Sequence, residues 1–382
     1  MKKTLSIACA VAAPILLSQS ATAAFDYFKS GNDGFKRYSI SAGWLHAEPT
    51  GKATPVRNTT AIKDDTKADN GSVTVGAVKN VIDPAQGEAR VQEIKNGLDT
   101  AGFLGGKGDD TDLANIGPLG LNFSGETTIN GLQSFATPGT GLESDTVDTI
   151  GMLFTYYVDD HWGVELKAGI PPKVDILGKG EVIAPFQGKV SPSGLAAGIL
   201  GDFNIKDDIQ ITDMTQGGGV ASTARAWLPA ALVQYQFGKP GVNKFRPYVG
   251  AGVMYAYFDD IELNKGIEQD LQTAAGRLQL IQKNQAGAAL GSKEEIDKNE
   301  AAGVADMRVK VEADSAWAPI INVGATYDFD ENWFAVGSIS YAKLDSDTTI
   351  TVKNKEGNQL IEAKSNIDID PYITYLGVGY RF

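Results

Sequence analysis

The sequence predicts an all-β protein, an eight-stranded antiparallel up-and-down transmembrane β-barrel with long extracellular loops that contain short helices. Three observations lead to this prediction: the pattern of the last strand, an export signal at the start of the chain, and an alternation of short and long links between strands. A closed barrel suits a membrane because it leaves no backbone hydrogen-bonding group unpaired in hydrocarbon. We expect a single barrel domain over residues 24–382.

The last strand, from Tyr372 to Phe382, alternates between two kinds of side chain. One face is aromatic at both ends and apolar between them, whereas the other is small in the middle and has Arg381 near its end. An apolar outer band with aromatic ends and a small or polar inner face is typical of strands in outer-membrane barrels. Strands of soluble sandwiches also alternate, but they rarely end a chain on an aromatic residue.

The first 23 residues have the parts of a secretory signal peptide. Lys2 and Lys3 form a basic start, and an uncharged, largely apolar stretch follows over residues 5–17. Residues 21–23 give the small-x-small pattern that signal peptidase cleaves. The apolar stretch is short for a transmembrane helix. Cleavage would remove Cys9, the single cysteine, so the mature chain would have no thiol or disulfide chemistry.

The charge balance is acidic, with 34 Lys and Arg against 47 Asp and Glu and a formal net charge of −13. We therefore expect no nucleic acid partner, because phosphate backbones bind basic surfaces. The mature sequence has no apolar run long enough for a transmembrane helix, so insertion into a membrane would require a barrel.

The alternating segments and their spacing give the topology. Seven segments besides the last strand alternate: 37–45, 149–157, 161–170, 229–237, 245–258, 320–329 and, less clearly, 333–342. Short links occupy 158–160, 238–244 and 330–332, and long inserts occupy about 50–144, 177–224, 259–312 and 353–363. Barrels of this class alternate between tight periplasmic turns and long extracellular loops, so both termini should be periplasmic.

The long inserts are rich in glycine and acidic residues. Apolar residues at helical spacing predict a helix over 267–281, and a shorter helix is predicted over 84–98. We expect these helices to lie over the barrel mouth or to be partly disordered outside the cell; a partner-binding or plug element is the alternative. Asp109, Asp110 and Asp112 lack the spacing and terminal glutamate of an EF-hand, so no metal or cofactor is expected.

Several motifs resemble the OmpW family of outer-membrane proteins. In family order they are Thr155-Tyr156-Tyr157, Trp162-Gly163-Val164-Glu165-Leu166, Leu228-Pro229, Phe245-Arg246-Pro247-Tyr248-Val249-Gly250-Ala251-Gly252, Asn332-Trp333, Leu344-Asp345-Ser346-Asp347-Thr348-Thr349 and Gly377-Val378-Gly379-Tyr380-Arg381-Phe382. The resemblance covers about 35–50 and 145–382, but the inserts at 50–144, 177–224 and 259–312 are longer than in that family.

The resemblance implies a narrow, mostly hydrophobic barrel interior that serves as a passive channel for small apolar compounds, which leave sideways through the barrel wall. It also implies that Tyr380 and Phe382 form a signal for the barrel-assembly machinery. Aromatic residues on the outer faces are interpreted as interfacial anchors. These anchors are Trp44, Trp162, Trp333, Tyr235, Tyr327, Tyr380 and Phe382.

Charged residues on the inner faces converge towards the periplasmic end. Because buried charges are tolerated when they are paired, we expect a salt-bridged luminal floor. Its predicted members are Arg37, Glu165, Lys167, Arg246, Asp328 and Arg381. The floor either stabilises the barrel or blocks straight passage and forces cargo sideways, since eight strands leave room for side chains or one small ligand.

Above this floor, inward apolar residues are candidates for a channel lining. They are Leu45, Leu153, Leu232, Met254 and Tyr375. Pro171, Pro172 and Pro229 lie near the outer ends of strands, where a missing backbone donor marks a break in the wall. With the resemblance, this break indicates a lateral opening.

Enzymatic activity is not expected. His46 and His161 are the two histidines, and the sequence has no Gly-x-Ser-x-Gly elbow, no Cys/His metal cluster and no phosphate-binding glycine motif. Two functions remain. One is a channel for small hydrophobic molecules in outer-membrane lipid, and the other is a barrel anchor whose acidic loops bind a surface, a partner or a phage.

Overall fold

The structure, a computed structural model, describes residues 36–116, 122 and 124–382. The predicted signal peptide at 1–23, with Cys9, lies outside the described residues.

Numbered along the described chain, the strands are β1 (Tyr38–Glu48), β2 (Arg57–Thr60), β3 (Thr66–Asp69), β4 (Glu126–Asn130), β5 (Ser134–Ala136), β6 (Gly141–Ser144), β7 (Val147–Tyr157), β8 (Trp162–Gly169), β9 (Lys173–Lys179), β10 (Glu181–Ser191), β11 (Phe203–Asp213), β12 (Val220–Trp227), β13 (Ala230–Gln236), β14 (Phe245–Leu263), β15 (Arg308–Ala313), β16 (Ala316–Asp328), β17 (Trp333–Ala342), β18 (Asp345–Lys353), β19 (Gln359–Asp368) and β20 (Tyr372–Arg381).

The described helices are short apart from two. They are α1 (Val75–Asn80), α2 (Glu88–Gly105), α3 (Leu195–Leu200), α4 (Lys265–Gln282) and α5 (Lys293–Lys298). The predicted helix over 267–281 corresponds to α4, whereas the one over 84–98 is displaced, because a single 3₁₀ turn at Pro84–Gln86 precedes α2. Among the described helices, none combines the length and the apolar character needed to cross a bilayer.

Eight strands close into an antiparallel barrel in the order β1, β7, β8, β13, β14, β16, β17, β20 and back to β1. The first and last strands close it, with a register that runs from Ser39 opposite Arg381 to Glu48 opposite Tyr372. The predicted eight-stranded barrel is therefore confirmed. β14 and β16 extend beyond the wall, into the structure above it.

The barrel places its apolar residues on the outside. On β13, for example, the side chain of Leu232 points inward and is 2% exposed, whereas that of Val233 points outward and is 53% exposed. Aromatic pairs encircle both ends of the outer surface. Trp162 with Tyr235 and Trp333 with Tyr380 lie near the short turns, and Tyr255 with Trp317 and Tyr341 with Tyr372 lie at the opposite end. An apolar band between aromatic girdles matches the profile of a lipid bilayer.

Two of the short turns use the same local device. The Oδ1 atom of Asp159 accepts hydrogen bonds from the amides of His161 and Trp162 at 2.8 and 2.7 Å. The Oδ1 atom of Asp330 accepts from the amides of Asn332 and Trp333, both at 2.7 Å. An aspartate that bonds to the backbone two residues on stabilises a tight turn, so this end of the barrel is called the turn end.

At the opposite end, the inserts fold into a packed body that we call the cap. It comprises a four-stranded sheet (β11, β10, β4, β3), a five-stranded sheet (β15, β18, β19, β2, β5) and all five described helices, while β12, β9 and β6 continue the barrel sheet upward. Its core contains residues such as Leu98, Leu280 and Leu360, each of them fully buried. The described parts of the inserts thus resemble a soluble domain rather than free loops.

Candidate functional site

The barrel interior near the turn end is filled by charged and aromatic side chains. Arg381 Nη1 donates to Asp328 Oδ1 at 2.6 Å, and the Arg381 guanidinium lies 4.4 Å from the centroid of the Phe334 ring. Arg246 Nη2 donates to the backbone oxygen of Asp160 at 2.5 Å. All four side chains belong to residues that are less than a tenth exposed.

A second charged level lies further along β8. Lys167 Nζ is 3.5 Å from Glu165 Oε1 and donates to Ser340 Oγ at 2.9 Å, and Ser340 Oγ donates to Asn322 Oδ1 at 3.0 Å. Glu165 and Lys167 are 3% and 7% exposed, so this ion pair is removed from solvent.

The six predicted floor residues therefore do not share one salt-bridged layer. Arg381–Asp328 and Lys167–Glu165 are separate ion pairs, and Arg246 is held by backbone oxygens. Arg37 lies at the rim, where its Nη1 donates to the backbone oxygen of Val158 at 3.0 Å. Strand geometry explains why the charges are separated. Arg37 precedes β1, and successive inward residues on one strand are about 7 Å apart, so the charges lie at different heights in the barrel.

Tyrosines fill the section between these charges. Tyr248 and Tyr375 are 2% and 1% exposed and pack with Leu153, Phe334 and Val336. The Tyr375 hydroxyl lies 3.0 Å from Ser41 Oγ. Of the candidate channel residues, Leu153 and Tyr375 thus belong to a packed plug. The alternation of β14 already indicated that Tyr248 points inward, but β17 is apolar on both faces at its start, so its pattern did not identify Phe334.

The barrel interior next to the cap is lined mainly by apolar side chains. Leu232 and Met254 are each 2% exposed and pack against Ile320, Ile373 and the half-buried Leu45. These candidate channel residues do point into the lumen. They fill it with side chains, which is the expected condition of an eight-stranded barrel.

Above this layer, an apolar cavity lies between the barrel rim and the cap; we call it the mouth cavity. Its empty space, counted together with the open solvent at its mouths, is about 830 Å³. Barrel strands and inserts both contribute to its wall. The wall residues include Ala47, Val147, Pro172, Val174, Ala224, Leu228, Phe258, Val311, Leu344 and Ile369.

The barrel wall is interrupted beside this cavity, on both sides of Pro171 and Pro172. On the side of β7, the last hydrogen bond before the gap runs from the Ile170 amide to the backbone oxygen of Ile150. The next backbone bond among the described residues runs from the Asp145 amide to the backbone oxygen of Asp175. Proline has no amide hydrogen, so neither Pro171 nor Pro172 can donate in between. We call this the wall break.

Towards β13, the wall break continues. The paired register ends at Lys167 opposite Ala230, and the next described bond joins the Ala226 amide to the oxygen of Pro172. Pro229 lies within this interval, although its oxygen accepts from the Tyr255 amide at 2.9 Å and so stays tied to β14. Pro172 lines the mouth cavity, as does Leu228, which precedes Pro229, whereas Pro171 and Pro229 are not part of the lining.

An ionic contact fixes the junction of barrel and cap. Asp370, which has a φ of 40°, accepts hydrogen bonds from Lys343 Nζ and from the Leu344 amide. Burial acts to raise the pKa of Asp370, but the bonds from Lys343 and Leu344 outweigh it and hold that pKa below its ordinary value. The same bond to Asp370 raises the pKa of Lys343 to about 12. No pattern in the sequence singled out this pair.

The histidines and the acidic inserts do not assemble a reactive centre in the described part of the chain. His46 Nδ1 lies 2.9 Å from Asp148 Oδ1, and His161 Nδ1 lies 2.9 Å from the backbone oxygen of Gln236. Neither described contact includes a serine hydroxyl. Asp109 pairs with Lys79, and no cluster of three or more His, Cys, Asp or Glu side chains suited to a metal occurs among the described residues.

Comparison with known proteins agrees with this architecture. The sequence model of the OmpW family matches residues 123–299 and 291–382. Outer membrane protein W of Vibrio cholerae is 28% identical over 205 residues, which are 53% of this chain and 66% of that protein, just under two thirds of its length. Outer membrane protein W of Escherichia coli K12 is 24% identical over 233 residues, 61% of this chain and 72% of that one.

A relative with a different name extends the comparison. The dibenzothiophene metabolism operon protein PahQ of Pseudomonas aeruginosa is 20% identical over 264 residues, 69% of this chain and 84% of that protein. The crystal structure of outer membrane protein OprG from Pseudomonas aeruginosa is similar, with 16% identity and a TM-score of 0.42 over 91% of this chain and 96% of that one. Because the family's sequence model matches well over half of the residues, this chain belongs to the OmpW family of outer-membrane proteins.

Proposed function

We propose that this protein is an outer-membrane channel for the passive uptake of small hydrophobic molecules. In this proposal the cap faces the exterior, the turn end faces the periplasm, and cargo passes from the mouth cavity through the wall break into the membrane. One observation carries the proposal: the apolar mouth cavity lies above a filled lumen and beside the wall break.

The filled lumen favours lateral over straight passage. A molecule that moved straight down from the mouth cavity would have to displace Leu232, Met254, Tyr248 and Tyr375, which are all nearly fully buried. It would then meet the ion pair of Arg381 and would have to desolvate that pair or break it. Removal of one partner from a buried ion pair costs about 3–5 kcal/mol, so the charged levels oppose apolar cargo.

The wall break offers a path with a smaller penalty. The residues outside it, such as Ile150, Leu166 and Ile170, are apolar and about half exposed. An apolar solute that leaves here exchanges an apolar cavity for lipid, without contact with water. The kinship with a protein named for a dibenzothiophene metabolism operon agrees with cargo of this kind, since dibenzothiophene is a compact aromatic compound.

The test is uptake into vesicles with lipopolysaccharide in the outer leaflet and the refolded protein in the membrane. Dibenzothiophene and sucrose are compared as solutes, and empty vesicles give the background. We expect the protein to accelerate uptake of dibenzothiophene and not of sucrose. Ala224→Phe, which fills the mouth cavity, should abolish most of this acceleration, while Ala42→Phe on the lipid-facing side of β1 should preserve it.

Other outcomes would contradict the proposal in different ways. Uptake of both solutes would mean that the charged levels do not close the lumen. Uptake of neither by a folded barrel would favour the alternative function, an anchor that presents the acidic cap to a surface, a partner or a phage. The role of Tyr380 and Phe382 as an assembly signal is a separate prediction, which deletion of Phe382 would test through the yield of inserted protein.

A further inference from the structure

The cap contains further apolar cavities that are arranged in series with the mouth cavity. An inner cavity of about 600 Å³ shares the wall residues Leu142, Ser222, Val311 and Thr348 with the mouth cavity. A central cavity of about 610 Å³ follows it, and these two share Asn58. Both volumes include the openings. The walls are built largely from the long inserts, so nothing in a short-loop barrel corresponds to them.

Asn58 stands at the partition between the inner and central cavities. It lies on β2, opposite Phe135 of β5 on one side and Ala363 of β19 on the other. Phe135 lines the central cavity and Ala363 lines the inner one. The side chain of Asn58 therefore borders both spaces, although the residue is only 2% exposed.

Among the residues that the structure describes, none accepts a hydrogen bond from the amide nitrogen of Asn58. Two polar neighbours on the cavity wall do have hydrogen-bond partners. Thr60 Oγ1 donates to the oxygen of Leu132 at 2.9 Å, and Arg277 Nη1 donates to the oxygens of Ala289 and Gly291. Another buried cap residue, Asn70, donates to Ser124 and accepts from Thr127. A buried donor without an acceptor has lost its hydrogen bonds to water and has gained none in the protein. Natural cores avoid this cost unless another molecule supplies the acceptor.

We infer that Asn58 is the polar anchor of a ligand site inside the cap. The site would bind compact, mostly apolar molecules that carry one hydrogen-bond acceptor, such as aryl ketones, whose oxygen would accept from Asn58 Nδ2. An apolar pocket with one well-placed polar group is the usual design of a small-molecule site. This inference deepens the proposed function and rests on it for its purpose: the cap would hold such molecules before they reach the mouth cavity.

The experiment measures binding of two probes of the same shape to the full-length protein in lipid nanodiscs. One probe is 2-acetylnaphthalene labelled with ¹³C at the carbonyl, and the other is 2-ethylnaphthalene, which has no acceptor. Empty nanodiscs give the partitioning into lipid. Isotope-edited infrared spectroscopy then reports on the labelled carbonyl. We expect a band at lower frequency for the ketone bound to the protein, because a hydrogen bond weakens the carbonyl stretch.

Asn58→Leu keeps the branched shape of the side chain and removes its donor. This variant should lose the shifted band and bind the ketone about 3- to 10-fold more weakly, which corresponds to one neutral hydrogen bond, while its affinity for the hydrocarbon stays the same. Asn70→Leu is the matched control: it loses two satisfied bonds and should be less stable, but it should keep the shifted band. Ala274→Leu, which narrows the central cavity, should weaken binding of both probes.

The outcomes separate this inference from the proposed function. An unshifted carbonyl band in the wild type, or equal affinity for both probes, would overturn the role of Asn58 and would leave the uptake result untouched. A shifted band that Asn58→Leu abolishes, in a protein that fails the uptake assay, would establish the ligand site and refute the channel. If Asn58→Leu does not fold, the wild-type band and Ala274→Leu still decide the matter.

Discussion

The barrel and the cap bury opposite kinds of side chain. The barrel directs Val233, Ile321 and Leu376 outward, where each is more than half exposed, and encloses Arg381, Glu165 and Lys167. The cap encloses Leu98, Leu280 and Leu360 and places most of its charges on the surface. The difference shows that one chain is fitted to two solvents, since lipid accepts an apolar exterior and water does not. The same kind of substitution should therefore change stability for different physical reasons in the barrel and in the cap.

The cap should be the easier region to unfold by itself. Leu280→Asp places an unpaired charge in the cap core, at a cost of several kcal/mol. We expect the cap to become sensitive to protease while the barrel keeps its heat-modifiable mobility on a gel. Leu195→Asp is the control, because Leu195 is 62% exposed and its replacement should have little effect. Simultaneous loss of barrel and cap would show that the two regions fold as one unit.

The barrel should be sensitive to the loss of buried charge pairing. Asp328→Asn leaves Arg381 without its carboxylate, and breaking a buried ion pair costs about 3–5 kcal/mol. Unfolding of the barrel by urea in lipid vesicles, followed by tryptophan fluorescence, should shift to lower urea concentration. Asp160→Asn, at an exposed turn residue, should leave the midpoint unchanged. An unchanged midpoint for Asp328→Asn would mean that Arg381 contributes through its contact with Phe334.

The junction between the two regions should respond to pH. Asp370 has a lowered pKa in the folded protein, so its contribution to stability is present above the ordinary carboxyl value of about 3.9 and is lost as the pH falls through the lower folded value. Limited proteolysis at the junction should therefore accelerate in acid. Asp370→Asn should be more sensitive than the wild type at neutral pH and should converge with it in acid.

Lys343 gives the opposite dependence at the same junction. Its pKa of about 12 in the folded state exceeds the unfolded value of about 10.4, so its contribution to stability is present below pH 10 and is lost as the pH rises through about 12.

Asp368→Asn is the control for Asp370→Asn, because Asp368 also contacts Lys343, at 3.3 Å. Equal effects of the two variants would argue against a special role for Asp370.

The exposed turns between barrel strands should show the smallest effect. Asp159→Ala removes two hydrogen bonds to backbone amides at an exposed turn, where water competes for the same groups. Urea unfolding of the barrel should shift slightly, and Asp160→Ala, its neighbour, should not shift it because the described contact of Asp160 is made by its backbone oxygen. A larger effect than that of Asp328→Asn would reverse the ranking of buried and exposed contacts proposed here.

The sequence predicted the barrel far better than the cap, and the reason is the range of the interactions. Inward and outward positions follow from period-two alternation along single strands, so Leu232 and Arg381 were placed on the inner face from local pattern alone. The partition at Asn58 depends on β2 lying between β5 and β19, which are about 75 and 300 residues away along the chain. No local pattern encodes such pairings.

The alternation along each strand identified which charged side chains point into the lumen, but it did not identify their ion-pair partners. Inward direction and approximate height could be deduced for Glu165, Lys167 and Asp328. Which charges form pairs depends on side-chain length and on the stagger of the closed barrel. The predicted floor is therefore divided into two ion pairs and two arginines that bind backbone oxygens. The prolines led to the prediction of a break in the wall, whereas the mouth cavity could not be predicted without the three-dimensional position of the cap.

The central claim, that cargo leaves sideways through the wall break, can be tested most directly by the order in which a fluorescent solute meets two quenchers. The solute 2-acetylnaphthalene is added to vesicles with lipopolysaccharide outside, with bromine-labelled acyl chains in the inner leaflet or a water-soluble quencher inside. The account predicts that the protein accelerates quenching by the acyl chains before quenching by the enclosed water-soluble agent, and that Ala224→Phe removes the acceleration. Quenching by the enclosed agent first would show straight passage through the lumen and would contradict the account.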